Sequence, residues 1–164
     1  MLQIDMKRKN MIIRTITLML TIIVCIVIFK FSSEDSGEST GTSDFVIDTI
    51  ININPFTRNL DDVKKEEIKE NIKMPIRKLA HFSIYTVLGI TTMLHMFTYS
   101  ISKYKKMGSS LVIGMLYAIS DEIHQLFVPG RSGQITDVCI DTIGVLFGIS
   151  IVLVVQSMIR KVKA

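Results

Sequence analysis

Asp121, Glu122, His124, Arg131, Asp137 and Asp141 crowd into residues 120–141, Ser-Asp-Glu-Ile-His-Gln-Leu-Phe-Val-Pro-Gly-Arg-Ser-Gly-Gln-Ile-Thr-Asp-Val-Cys-Ile-Asp, between two apolar runs. Imidazole beside carboxylate offers general acid–base chemistry. A guanidinium offers a bidentate clamp for phosphate or carboxylate. Each ionisable group at bilayer depth costs on the order of a few kcal/mol, so a cluster there marks a functional site by default. A second polar group, Arg77, Lys78 and His81 with Tyr85 one turn further on, opens another apolar run. The spacing 78–81–85 puts Lys78, His81 and Tyr85 on one helical face.

Within the first cluster, Asp121, His124 and Gln125 are related by i,i+3 and i,i+4, while Glu122 points about 100° away. Asp137 and Asp141 stack at i,i+4. The catalytic candidates are therefore His81, Asp121, Glu122, His124 and Asp141, and the ligand-binding candidates are Arg77, Lys78, Tyr85, Gln125, Arg131 and Asp137. Arg77, Lys78 and Arg131 can balance the four acids, and the two histidines titrate near neutral pH. The plain structural alternative is an ion-pair network that fixes helix register. Two histidines and four carboxylates could hold a divalent ion, but no H-x-x-x-H or D-x-D pair marks one, so no metal ligand is assigned and no cofactor is specified. No G-x-S-x-G elbow, Walker loop or glycine-rich dinucleotide motif is present.

The elements that must position these residues are membrane helices. The chain is 48% hydrophobic with a mean hydropathy of +0.42, and the apolar residues fall in four blocks: 11–31, 82–101, 109–127 and 138–159. Each is near the roughly 20 residues that cross a hydrocarbon core, and a crossing segment must satisfy its own backbone as a helix. The expected fold is an all-α membrane protein, a single domain over residues 1–164 built as a bundle of about four transmembrane helices. Lys7, Arg8 and Lys9 precede the first block as in a signal peptide, but no A-x-A cleavage site follows, so it reads as an uncleaved anchor.

Basic residues set the orientation. Lys7, Arg8 and Lys9, then Lys103, Lys105 and Lys106, then Arg160, Lys161 and Lys163 fall on one side if four helices alternate. By the positive-inside rule that side is cytoplasmic. Both termini are then cytoplasmic, while segment 32–80 and the 120–141 cluster face outward. The net charge of +4 is accordingly a topology signal, and its division among three membrane-flanking clusters argues against nucleic acid as a partner.

Residues 32–43 are rich in Ser, Gly and acids and read as a loop. Ser43 is placed to cap a short helix carrying Val46, Ile50 and Ile53 and stopped by Pro55. Leu60–Asn71 is a second amphipathic piece. Both are expected at the outer surface. Gly144-x-x-x-Gly148 and Gly114-x-x-x-Ala118 are close-packing stripes, His95 reads as a hydrogen-bonded packing histidine, and Cys25 and Cys139 read as small apolar residues.

At these residues the chain resembles the VanZ-like family of small bacterial membrane proteins. The resemblance lies in Phe31-Ser32-Ser33, in Arg77-Lys78-x-x-His81-Phe82-x-x-Tyr85-x-x-Leu88-Gly89, and in Ser120-Asp121-Glu122-x-His124-Gln125. It continues in Pro129-Gly130-Arg131 and Asp137-x-x-x-Asp141-x-x-Gly144-x-x-x-Gly148. Glu34 stands where that family commonly has glutamine. The resemblance implies a multi-pass plasma-membrane protein linked to resistance toward teicoplanin-type glycopeptides, drugs that carry a lipid tail and bind peptidoglycan precursors at the outer face.

Three functions follow as expectations. One is a module that binds a cell-envelope precursor or lipid. The second is an enzyme in which His124 or His81 is the acid/base, Asp121 and Asp141 orient it or hold a metal, and Arg77 and Arg131 clamp phosphate. The third is a small transporter, which four helices would support as a homo-oligomer around a pore.

Overall fold

A computed structural model describes residues 2–34 and 36–162, with side chains for residues 7–34 and 44–162. Asp35 and Lys163, in the stretches read above as loop and tail, lie outside the described residues. The described chain is all-helical, with α1 at Leu2–Ser33, α2 at Ser36–Ile53, α3 at Asp62–Phe97, α4 at Lys103–Gln125 and α5 at Ile135–Val162. The Asp61 side chain caps α3 by accepting from the Lys64 N–H at 2.8 Å, and Ser102 caps α4 through Lys105 at 3.4 Å. Each cap satisfies one of the orphan donors of a helix start.

α1, α3 and α5 are long and apolar enough to cross a membrane. α4 has the length but starts on Lys103, Lys105 and Lys106 and ends on Asp121 and Glu122. The bundle is apolar outside as well as inside. Ile26, Leu116, Ile143 and Met158 are each more than half exposed, whereas a helix facing water carries polar residues on its outer face. The bilayer is the solvent for this surface.

The outer segment differs from expectation. The stretch read as loop is helical from Ser36, and Ser43 lies inside α2 rather than at its start. Small polar residues cost a helix only a few tenths of a kcal/mol each, and α2 is held from outside itself. Ile47 and Ile51 are buried, and Asp44 and Asp48 pair with Lys69 and Lys73 of α3 at 3.2–3.7 Å. Leu60–Asn71 is likewise no separate piece: from Asp62 onward it forms the first turns of α3, which continues through Pro75 into the apolar run.

α3 and α5 meet along a seam of missing side chains. A Cβ on Gly144 would stand 2.6 Å from the Phe82 carbonyl oxygen, one on Gly148 would overlap the Thr86 carbonyl, and one on Gly89 would overlap the Val145 carbonyl. Small residues let membrane helices approach this closely. Gly114 of α4 receives the Val145 side chain in the same way, and Ala118 is fully buried. Around the seam pack Ile28, Tyr85, Leu88, Met93 and Ile149.

α1 packs Val24, Cys25 and Ile28 on the core and is fixed further by polar links. Arg14 Nη2 donates to the Thr98 carbonyl at 3.0 Å, and Thr17 Oγ1 lies 3.1 Å from His95 Nδ1. The Tyr117 hydroxyl donates to the Cys25 carbonyl at 2.6 Å, Ser33 Oγ lies 3.1 Å from His124 Nε2, and Arg131 Nη2 donates to the Phe31 carbonyl at 3.0 Å. His95, with Tyr99 on its other ring nitrogen at 3.3 Å, belongs to this attachment.

Candidate functional site

The registers on α3 and α5 face one another like two rows of teeth. Lys78 Nζ donates to Asp137 Oδ1 at 2.8 Å. One turn deeper, His81 Nδ1 lies 3.7 Å from Asp141 Oδ2. Another turn on, Tyr85 is fully buried. α4 closes the third side with Asp121, so that one ligand atom each from His81, Asp121 and Asp141 lies within 4.8 Å of the others. Gln125 Nε2 donates to Asp121 Oδ2 at 3.4 Å. Lys78, His81, Tyr85, Asp121, Gln125, Asp137 and Asp141, expected together, are together.

This centre is buried and unevenly satisfied. Asp121 is 4% exposed and Asp141 0%. Both Asp141 oxygens, His81 Nδ1 and the Tyr85 hydroxyl lack a hydrogen-bond partner among the described residues. A carboxylate buried without compensation is costly to ionise, by about several kcal/mol, so this is a place where a compensating group would stabilise the fold.

Three candidates, Glu122, His124 and Arg131, lie apart from this centre, and Arg77 borders it. Glu122 Oε2 accepts from the Gln134 backbone N–H at 2.7 Å, tying the 126–134 loop to the end of α4. His124 turns to α1, stacking on Phe29 at 4.6 Å as well as meeting Ser33. Asp121 and His124 share a helix side by spacing, yet the packed bundle splits them between two neighbours. Arg77 and Arg131 line a larger cavity.

That cavity, about 460 Å³, lies among α1, α2, α3 and the 126–134 loop. Its walls are apolar, with Ile28, Phe31, Ile76, Ile84 and Val87, while Glu34, Arg77, His81 and Arg131 contribute the polar groups. Arg131 Nε and Nη1 are buried without a hydrogen-bond partner among the described residues. Removal from water, and next the neighbouring Arg77 charge, push the Arg131 guanidinium down from its ordinary value, against the pull of Glu34, Asp121 and Glu122. A guanidinium nevertheless stays protonated at neutral pH, so two charged donors face a largely apolar space. A second cavity of about 10 Å³ touches Arg77, Lys78, His81, Asp137 and Asp141, roughly the room one water-sized species needs.

A family model described as VanZ/LLP1 matches residues 17–156. The chain belongs to the VanZ-like family. No curated protein and no solved structure matches it significantly. With its apolar outer surface, this is a VanZ-like membrane protein, and both the buried centre and the cavity lie within the matched residues. Some contributors to the VanZ-like site carry no mark in the sequence. Gln134 acts through its backbone N–H, which any residue but proline supplies. Gly89 stands in the run Leu88-Gly89, and its part in the seam shows only once α5 lies against it.

Proposed function

We propose that this VanZ-like protein crosses the bacterial plasma membrane four times with both termini cytoplasmic, and that it binds an anionic cell-envelope amphiphile in the cavity at the outer face. The observation that carries the proposal is Arg131: a half-buried guanidinium whose Nε and Nη1 donors are buried and unpartnered among the described residues, next to Arg77, on an apolar cavity of about 460 Å³. Acyl chains suit such walls, and guanidinium groups take phosphate or carboxylate bidentately. The fourth crossing is supported by α4 itself. Its 23 residues extend roughly 34 Å at the helical rise, and it packs against α1, α3 and α5. A contribution to teicoplanin-type resistance would follow from binding a lipid-tailed drug or the precursor it targets.

Orientation is checked by thiol labelling in a background lacking Cys25 and Cys139, both unpaired among the described residues. A cysteine at Ser132 is expected to react with a membrane-impermeant reagent on intact cells, and one at Ser102 to be protected. The reverse pattern would invert the topology.

Binding is checked by native mass spectrometry of the purified full-length protein presented with a phosphate-bearing lipid extract. The double variant Arg77→Gln/Arg131→Gln is expected to retain at least about tenfold less lipid, since each charge-assisted hydrogen bond contributes about 1.5–3 kcal/mol. Equal retention by wild type and variant would remove the cavity from the function.

A catalytic version has its own support. His81 lines the cavity and stands 3.7 Å from Asp141, a geometry that suits a proton carrier. Lipid and precursor profiles of expressing and non-expressing cells separate the two: a new or missing species indicates turnover, and an unchanged profile indicates binding alone.

A further inference from the structure

Two carboxylates and an imidazole face one another in the middle of the bundle, and among the described residues none of the nearby cations, Arg77, Lys78 and Arg131, donates a hydrogen bond to either carboxylate. Lys78 Nζ donates to Asp137, and Arg131 Nη2 to the Phe31 carbonyl. Asp121 and Asp141 are therefore two buried carboxylates with His81 beside them and no hydrogen-bonded cation among the described residues. Buried charges in proteins are paired or coordinate metals. Unpartnered atoms gather here: both Asp141 oxygens and His81 Nδ1, with the Tyr85 hydroxyl, one helical turn from His81, unpartnered as well.

We propose that His81, Asp121 and Asp141 bind a divalent transition-metal cation, with Zn²⁺ and Mn²⁺ the ions that best match one nitrogen and two oxygen donors. A doubly charged ion cancels the two carboxylates. Nitrogen and oxygen ligands sit about 2.0–2.2 Å from zinc, so a pair of them lies at most about 4 Å apart. The observed spread of up to 4.8 Å closes to that with shifts well under an ångström per side chain. The three ligands come from α3, α4 and α5, so the ion cross-links the bundle core, and no local sequence spacing announces it. Three protein ligands leave a coordination position open, as in catalytic zinc sites, and the Tyr85 hydroxyl supplies a hydrogen bond to a water held there. His81 also belongs to the wall of the larger cavity. The inference is independent of the amphiphile proposal, because a bound ion is counted without any lipid present.

The test uses full-length protein in detergent, stripped with a chelator and dialysed against Zn²⁺ or Mn²⁺ separately, with metal counted by inductively coupled plasma mass spectrometry. About one ion per chain is expected for at least one of the two metals. His81→Gln and Asp141→Asn should each weaken it at least about 100-fold, since losing even an outer partner of a metal ligand costs about 10–100-fold. His124→Gln, outside the centre, should bind as wild type does. Should Asp141→Asn fail to elute as a single folded species, the wild-type melting temperature decides: the bound ion is expected to raise it by several degrees, as any ligand of the native state does. Wild type that retains neither ion and melts at one temperature with and without them overturns the proposal, and leaves Asp121 and Asp141 sharing a proton instead. Single variants that keep the wild-type stoichiometry overturn it equally.

Discussion

Gly148→Val is expected to lower the melting temperature of the detergent-solubilised protein by about 6–12 °C and to cut its abundance in the membrane. The new Cβ would overlap the Thr86 carbonyl and stand 2.9 Å from the Ile90 nitrogen. Backbone cannot rotate aside as a side chain can, so α3 and α5 must part. Overpacking costs about 1–3 kcal/mol and occasionally more; with backbone on both sides the upper figure applies. At this chain length each kcal/mol moves the midpoint about 2–4 °C, and total stability is only about 5–15 kcal/mol. Gly89→Ala should act in the same direction, because its Cβ would overlap the Val145 carbonyl. Gly108→Ala is the control: a Cβ there meets nothing within 4 Å, and inside a helix alanine is favoured over glycine by about 1 kcal/mol. Its midpoint should hold or rise. A Gly148→Val protein that melts with wild type would mean that the seam is not close-packed.

The other large effect belongs to Lys78 and Asp137. Their side chains are 33% and 21% exposed, with Nζ and Oδ1 at 2.8 Å. Removing one partner of a fully buried pair costs about 3–5 kcal/mol, and residual exposure screens part of that. Lys78→Met should therefore destabilise by about 1–3 kcal/mol, chiefly because Asp137 is left uncompensated at the end of the bundle. Replacing both partners with apolar residues is often near neutral. Lys78→Met/Asp137→Leu should consequently recover most of the loss in a double-mutant cycle followed by thermal unfolding. A coupling below about 0.5 kcal/mol, the range of independent sites, would show that the pair does not order α3 against α5.

The contrast between these two features and the rest shows what a sequence of this kind discloses. Lys78, His81 and Tyr85 on one helix, and Asp137 and Asp141 on another, announce their faces by spacing and stand out because charge is costly in lipid. Their mutual contact needs only that the two helices be neighbours, which Gly144 and Gly148 already suggested. Asp121 and His124 are different. Spacing places them on one side, and only the presence of Phe29 and Ser33 on α1 draws His124 away. The second half of α2, up to Ile53, is legible. Its first two turns are hidden for a related reason: their Ser-, Gly- and Thr-rich composition speaks for a loop, while the docking of α2 depends on Lys69 and Lys73 of another helix. Arg131 and Phe31 lie 100 positions apart, and no local pattern links them. The triad of His81, Asp121 and Asp141 is likewise assembled from three helices, each contributing one residue.

The polar attachments of α1 also bear on how the protein is built. Among the described residues, every partner that holds this helix by a hydrogen bond to another helix or loop comes late in the chain: His95, Thr98, Tyr117, His124 and Arg131. Synthesis runs from the N-terminus, so α1 is in the bilayer before any of them exists. Lipid gives it no hydrophobic reason to prefer protein neighbours, and directional bonds accept only one register along its length. The set of bonds that seats α1 is thus complete, and the cavity it helps to wall is finished, only after the chain has passed Arg131.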